Sequence, residues 1–92
     1  MEIRWSVPAA EDLERICRRI ERDNPEAAVR VAKSIYDGCA KLGEFPNLGR
    51  TSRRLDGRRE LAFPPFPYIA VYQLKQETIE ISRIFHAAQD WP

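Results

Sequence analysis

The sequence predicts an α+β fold in which two helices cover one face of an antiparallel sheet. In the first half of the chain, apolar residues recur at helical spacing, with one strong capping signal in between. The last third contains three consecutive segments with the residue patterns of β-strands, and the middle one is apolar on both faces. Neither part can bury its apolar side alone, so we expect the helices to pack across one sheet face. The other face is then available for function.

The chain begins with a short strand that leads into a helix. Ile3 and Trp5 alternate with polar neighbours, and residues 6–8 resemble a helix start with Pro8 in the first turn. This first helix is expected to end near Arg22. Its charged side offers i,i+4 pairs between Glu11 and Arg15 and between Glu14 and Arg18, and its apolar side consists of Ala10, Leu13, Ile16, Cys17 and Ile20.

A second helix is predicted from the best local signal in the sequence. Asn24 can cap it, Pro25 suits its first position, and Glu26 lies near the positive end of the helix dipole. Gly43 followed by Pro46 should stop it. The short connection to the first helix implies an antiparallel helical hairpin.

The remaining chain is predicted to form a loop and then a sheet. Residues 45–57 are rich in glycine, proline and arginine, so we expect a loop with one short strand near Thr51–Leu55. Three strands should follow, giving three to four antiparallel strands in one sheet. They are Arg58–Phe63, Tyr68–Leu74, whose two apolar faces suit a central strand, and Thr78–Phe85.

Length and composition restrict the class of protein. The 92 residues suffice for a single domain, expected over residues 1–92, and 43% hydrophobic and 32% charged residues are ordinary for a soluble protein. No apolar run approaches the roughly 18 residues of a membrane span, and the N-terminus lacks an apolar signal segment, so we expect a cytoplasmic protein without a membrane partner. Cys17 and Cys39 match no zinc or redox spacing and are expected in the core, and neither a metal nor a cofactor is expected.

Positive charge is concentrated in one short segment. Residues 50–59 contain five arginines and one aspartate, whereas the segments on either side are slightly acidic. A solvated loop would have this composition. So would a surface for an anionic partner, either nucleic acid or an acidic protein segment. The arginines are Arg50, Arg53, Arg54, Arg58 and Arg59.

Three strand residues are best suited to contact an anion: Arg58, Arg83 and His86. His86 is also the side chain whose ordinary pKa suits proton transfer near neutral pH, as a ribonuclease would require. Strict alternation places Arg83 and His86 on opposite faces, so they would share a site only if the strand bulged or ended before His86. In the structural alternative, His86 is a surface or hydrogen-bonded residue, and Arg83 is ion-paired at the edge of the core.

A series of short motifs extends over nearly the whole chain, and their order and spacing resemble those of the ParE/RelE superfamily of bacterial type II toxins. The resemblance implies a small α+β toxin that a cognate antitoxin binds and neutralises in a hetero-oligomer. The motifs are Trp5-Ser6, Ala10-x-Asp12-Leu13, Asn24-Pro25-x-Ala27-Ala28, Pro46-x-x-Gly49-Arg50, Gly57-x-Arg59-Glu60-Leu61, Pro67-Tyr68-Ile69-x-Val71-Tyr72 and Arg83-Ile84-x-His86-x-Ala88-x-Asp90-Trp91.

The superfamily divides into two main activities. RelE-like members cleave mRNA on the ribosome, whereas ParE-like members act on DNA gyrase and are not nucleases. RelE-like nucleases tend to carry an arginine in the central strand and a catalytic Arg, His or Tyr close to the C-terminus. This chain has Ile69 in that strand, and residues 87–92 contain neither tyrosine nor arginine. Since loss of one electrostatic contact to a transition state typically costs about 10² to 10³ in rate, we favour the ParE-like function.

This hypothesis assigns no catalytic residue, and the chain need not be an enzyme. Binding of gyrase or of the antitoxin is expected at Arg50, Arg53, Arg54, Arg58, Arg59 and Arg83. The alternative is a RelE-like, ribosome-dependent mRNA endoribonuclease with Arg58, Arg83 and His86 at its site. A third hypothesis is an interaction module left from a decayed toxin. The antitoxin is expected to add a helix in a groove, a strand at the sheet edge, or both, with acidic residues meeting the arginines.

Overall fold

The structure, a computed structural model, describes residues 1–88 and has the α+β fold that the sequence predicts. Asp90 and Trp91 of the last motif, together with Gln89 and Pro92, lie outside the described residues. A short 3₁₀ turn, Lys41–Gly43, follows the second helix. In chain order the elements are β1 (Glu2–Trp5), α1 (Val7–Glu21), α2 (Pro25–Ala40), β2 (Arg50–Thr51), β3 (Arg59–Phe63), β4 (Phe66–Lys75) and β5 (Thr78–His86).

Helix α1 starts at a serine that also contacts the sheet. The Ser6 hydroxyl oxygen accepts a hydrogen bond from the amide of Ala9 at 3.1 Å, which caps the helix, and it donates to the carbonyl of Ser82 at 2.8 Å. The Ser6 amide donates to the carbonyl of Ile81 at 3.0 Å. One residue therefore ends strand β1, starts the helix and fixes both against β5.

Helix α2 begins as the sequence predicts, with Pro25 as its first residue and Asn24 as its cap. The Asn24 side-chain oxygen accepts a hydrogen bond from the amide of Ala27 at 3.0 Å. Residues 22–24 connect the two helices, and α1 and α2 pack against each other as the predicted hairpin. Neither helix in the described part of the chain combines the length and the apolar character needed to cross a membrane.

The five strands form one sheet in the order β1-β5-β4-β3-β2. Strand β4 is central and antiparallel to both β3 and β5, and β2 is antiparallel to β3, which confirms the predicted antiparallel strands. Strand β1 joins the edge in parallel with β5. The short strand that was expected near Thr51–Leu55 lies slightly earlier, because only Arg50 and Thr51 pair with β3.

The core lies between the helices and one face of the sheet. Its central aromatic residue is Tyr72, whose hydroxyl donates to the carbonyl of Pro46 at 2.8 Å and accepts from the amide of Gly49 at 2.9 Å. These bonds fix residues 46–49 over one end of the sheet. The core also contains Ala9, Ile16, Val31, Ile35, Cys39, Leu42, Phe63, Tyr68, Ala70, Ile79, Ile81 and Ile84.

Gly49 lies where this segment meets the sheet, and we expect Gly49→Ala to destabilise the protein. A Cβ atom at Gly49 would lie 2.6 Å from the carbonyl oxygen of Glu60 and 2.7 Å from the ring of Tyr72. Because Glu60 is paired within the sheet and Tyr72 is fully buried, neither can move aside easily. The free energy of unfolding, measured by urea denaturation, should fall by about 1–3 kcal/mol.

Gly57→Asn provides the matched control. Gly57 has a φ of +73°, and a Cβ atom added there would have no neighbouring atom within 4 Å. Asparagine tolerates this left-handed conformation, so its effect should stay below about 1 kcal/mol. An equal loss in both variants would contradict the packing explanation for Gly49.

Candidate functional site

The arginines of residues 50–59 lie together on one β-hairpin, which we call the arginine loop. Its base is the pairing of Arg50 with Glu60 and of Thr51 with Arg59. Its tip, residues 52–58, is closed by hydrogen bonds from the Ser52 amide to the carbonyl of Arg58 at 2.9 Å and from the Arg58 amide to the carbonyl of Leu55 at 3.3 Å. The predicted cluster is thus a defined hairpin.

A buried carboxylate anchors the arginine loop to the sheet. Glu60 is only 5% exposed, and its Oε1 accepts hydrogen bonds from Nη2 of Arg50 at 3.0 Å and from Nε of Arg50 at 3.2 Å. Its Oε2 accepts from the Ser52 hydroxyl at 2.7 Å. The Ser52 oxygen in turn accepts from the amides of Arg54 at 3.3 Å and Leu55 at 3.1 Å. The tip is therefore connected to the sheet through Ser52 and Glu60.

The five arginines of the loop have different environments. Arg50 is bound to Glu60, and Arg59 donates from Nε to the carbonyl of Gly49 at 3.0 Å. These two hold the base of the hairpin. Arg53 and Arg54 are exposed at the tip, and Arg58 is half-buried. The surface that the loop offers to a partner consequently depends mainly on the arginines of the tip.

Arg58 lies on the sheet face that the helices do not cover. A hydrogen bond from Gln73 is the main cause that lowers the pKa of Glu80, and the positive charges of Lys75 and Arg58 lower it further. Gln73 and Glu80 are paired across β4 and β5 in the register of this face. Arg58 therefore extends the positive charge of the loop towards the open side of the sheet.

Arg83 is bound to a buried aspartate of α1. Asp12 is 1% exposed, and its Oδ2 accepts from Nε of Arg83 at 2.7 Å while its Oδ1 accepts from Nη2 at 3.0 Å. Oδ2 also accepts from the amide of Ile84 at 3.0 Å. The Arg83 side chain is 45% exposed, and its guanidinium lies 5.1 Å from the centre of the Phe85 ring. Arg83 is thus an ion-paired residue at the edge of the core.

Asp12 is the residue that sequence reasoning missed. It was identified only as part of a motif, although a carboxylate in phase with Ala9 and Ile16 on the apolar side of a helix is a signal for a buried partner. It also changes the expected helix pairs, because Arg15 donates to Asp12 at 2.7 Å rather than to Glu11. The expected pair between Glu14 and Arg18 is present.

The structure does not bring Arg83 and His86 onto one face. The register of β4 and β5 shifts between Val71, opposite Arg83, and Tyr72, opposite Ile81, so the bulge precedes Arg83 instead of separating it from His86. The His86 ring packs edge-on against Tyr68 at 5.5 Å, on the face opposite to Arg83. Its Nδ1 accepts from the amide of Ala88 at 3.2 Å. The three residues of the nuclease hypothesis are therefore not assembled in one site.

The open face has an apolar centre. Ile69 is paired with Phe85, and Val71 with Arg83, so Ile69, Val71 and Phe85 occupy the side of the sheet that faces away from Tyr72 and the helices. Val71 is 1% exposed and Phe85 7% exposed. The position where a nuclease of this superfamily is expected to carry an arginine thus lies in an apolar environment.

Comparison with known proteins gives consistent matches over the whole fold. The family described as ParE toxin of type II toxin-antitoxin system, parDE, matches residues 3–91. The chain is 39% identical over 90 residues to the candidate toxin Y4kP of Sinorhizobium fredii, which covers 98% of this chain and 92% of that protein. A solved structure of the chromosomal ParDE TA system from P. aeruginosa matches with a TM-score of 0.83 and 28% identity, covering 94% of this chain and 95% of that chain.

The contacts of Asp12 predict a large effect of its removal. Asp12→Ala would leave Arg83 without its buried partner and the amide of Ile84 without its acceptor. We expect the free energy of unfolding in urea at pH 7 to fall by about 3–5 kcal/mol. Glu14→Ala, which breaks an exposed pair with Arg18, is the control and should cost less than about 1 kcal/mol. Similar losses would refute a special role for Asp12.

The protonation of Asp12 predicts a pH dependence of stability. Burial opposes its ionisation, but hydrogen bonds from Arg83, Ile84 and Arg15 outweigh burial and lower its pKa from the ordinary 3.8. Because the folded-state pKa is the lower one, the stabilisation is complete above the unfolded-state pKa and is lost as pH falls through the folded-state pKa. The stability difference between the wild type and Asp12→Asn should therefore shrink below about pH 4. A constant difference from pH 7 to pH 2.5 would contradict this assignment.

Proposed function

Because this chain belongs to the family of ParE toxins of type II toxin-antitoxin systems, we propose that it inhibits growth by binding DNA gyrase and that a cognate antitoxin neutralises it. The family match over residues 3–91 is the observation that carries the proposal. The likeness to a solved ParDE system supports an antitoxin as the partner of this chain. We place its activity in the cytoplasm, where gyrase is found.

The geometry of the open face supports binding over RNA cleavage. Cleavage by general acid and base requires both groups, and a cation, within reach of one phosphodiester. Here Arg83 is engaged by Asp12, His86 lies on the opposite face, and Ile69 occupies the central strand. A protein that acts by binding needs only a suitable surface, so these features do not impair the proposed function.

The arginine loop is the surface that we assign to this binding. Arg53 and Arg54 are exposed at the tip of the hairpin, and Arg58 adds charge beside the open face. Arginine binds carboxylate and phosphate with a planar fork of donors, so this surface suits an acidic segment of the antitoxin as well as the gyrase–DNA complex. Competition for one surface would explain how the antitoxin neutralises the toxin.

Charge reversal at the loop tip tests the proposal. The wild-type chain, produced from a tightly regulated promoter, should arrest growth, and the purified protein should inhibit supercoiling by gyrase. Arg53→Glu combined with Arg54→Glu should reduce both effects at least about tenfold, because rim charges control association with a charged partner. Co-production of the protein encoded beside the toxin should restore growth.

The matched control carries the same charge change on the helices. Arg19→Glu combined with Arg30→Glu alters two exposed arginines of α1 and α2 and should leave inhibition unchanged. Normal supercoiling together with mRNA cleavage in translating ribosomes would establish the nuclease alternative and overturn the gyrase proposal. Loss of that cleavage in His86→Ala would then identify a nuclease residue. A wild-type chain without toxicity would overturn the proposed function itself.

A further inference from the structure

We infer that Ser52 and Glu60 are positioning residues that hold the tip of the arginine loop in the conformation its partner binds. The inference rests on the proposed function, since it assigns the residues that prepare the same surface. Neither residue offers its own side chain to a partner, because Ser52 is 8% exposed and Glu60 is 5% exposed. Their role would be exerted through the backbone of the tip.

The Ser52 hydroxyl uses its full hydrogen-bonding capacity. It donates to Glu60 at 2.7 Å and accepts from the amides of Arg54 and Leu55 at 3.3 Å and 3.1 Å. A hydroxyl has one donor and two acceptor sites, so no further bond is available. Both accepted bonds come from backbone groups of the tip, which fixes the direction in which the chain presents Arg53 and Arg54.

The tip has little apolar packing of its own. Arg53, Arg54, Asp56 and Gly57 are exposed, and Leu55 is only half-buried. A segment with few buried contacts opens easily unless polar contacts hold it. The hydrogen bonds of Ser52 therefore restrain the backbone in the middle of the tip.

The stability of the sheet alone does not explain why position 60 carries a carboxylate. Its cross-strand neighbour on β4 is the buried Val71, and an apolar side chain at position 60 would pack well against it. Replacement of a buried ion pair by apolar residues is often neutral or stabilising. An apolar residue could not accept the hydroxyl of Ser52, however, and could not hold Arg50. The carboxylate is thus required by the loop more than by the sheet.

Preorganisation links this arrangement to binding. A loop that is already ordered loses less conformational entropy when a partner binds it. Arg50 compensates the charge of Glu60, so the tip remains positive with Arg53, Arg54 and Arg58 against Asp56. Loss of the Ser52 hydroxyl would leave every charge in place and would remove its two bonds to the tip together with the bond that it donates to Glu60.

Ser52→Ala tests the inference with two measurements on the whole chain. Hydrogen exchange should accelerate at least about tenfold at the amides of Arg54 and Leu55, while exchange in β4 stays unchanged. The amount of protein needed for half-maximal growth inhibition should rise about tenfold. Glu60→Gln should have a similar effect, and Ser52→Thr, which keeps the hydroxyl, should restore both readouts.

The control separates positioning from general destabilisation. Val31→Ala reduces packing in the core of α2, far along the chain from the loop, and should leave the potency per folded protein unchanged. Unchanged exchange at Arg54 and Leu55 in Ser52→Ala would overturn the inference. So would faster exchange with undiminished growth inhibition, in which case the proposed function would stand. A non-toxic wild type would remove the proposed function and with it the binding role of Ser52 and Glu60.

Discussion

A buried carboxylate joins the two layers of this fold. Strand β1 pairs with β5 only as far as Ile81, and beyond that point no strand within residues 1–88 lies beside this edge of β5. Beyond Ile81, two side chains bind the backbone of β5 in place of a strand. The Ser6 hydroxyl donates to the carbonyl of Ser82, and the Asp12 carboxylate accepts from the amide of Ile84. Because both residues belong to α1 or its cap, the helix is fixed against the sheet at the position of the β-bulge. The core between helix α1 and the sheet depends on these two contacts.

Two buried carboxylates each bind an arginine of the sheet, and these two arginines therefore stabilise the fold. Asp12 binds Arg83, and Glu60 binds Arg50, yet the two arginine side chains remain 45% and 75% exposed, because a long side chain can end in water while one edge of its guanidinium is paired. A count of arginines in the sequence therefore overstates the charge that is available to a partner. At the tip of the arginine loop, Arg53 and Arg54 are exposed, so their charge is accessible to a partner.

The sequence predicts those parts of the fold that depend on neighbours along the chain. The cap at Asn24 and the residue patterns of β3, β4 and β5 are local signals, and they place the elements within a few residues. Pairing over long distances leaves no such signal, so the parallel contact of β1 with β5 was not predicted. The bulge at Ser82 had the largest consequence, since a shift of one residue moves Arg83 to the face opposite Ile81.

The same bulge changes the face of both Arg83 and His86, but it leaves them on opposite faces, as strict alternation also would. Without it, Arg83 would share the helix-covered face with Ile79 and Ile81, and its side chain would be enclosed. With it, Arg83 crosses the edge of β5 to reach Asp12, and His86 lies with Tyr68 on the helix-covered face. A cation and a proton donor held on opposite faces cannot act on one phosphodiester. The proposed binding through the hairpin tip, which Ser52 connects to Glu60, needs no such convergence.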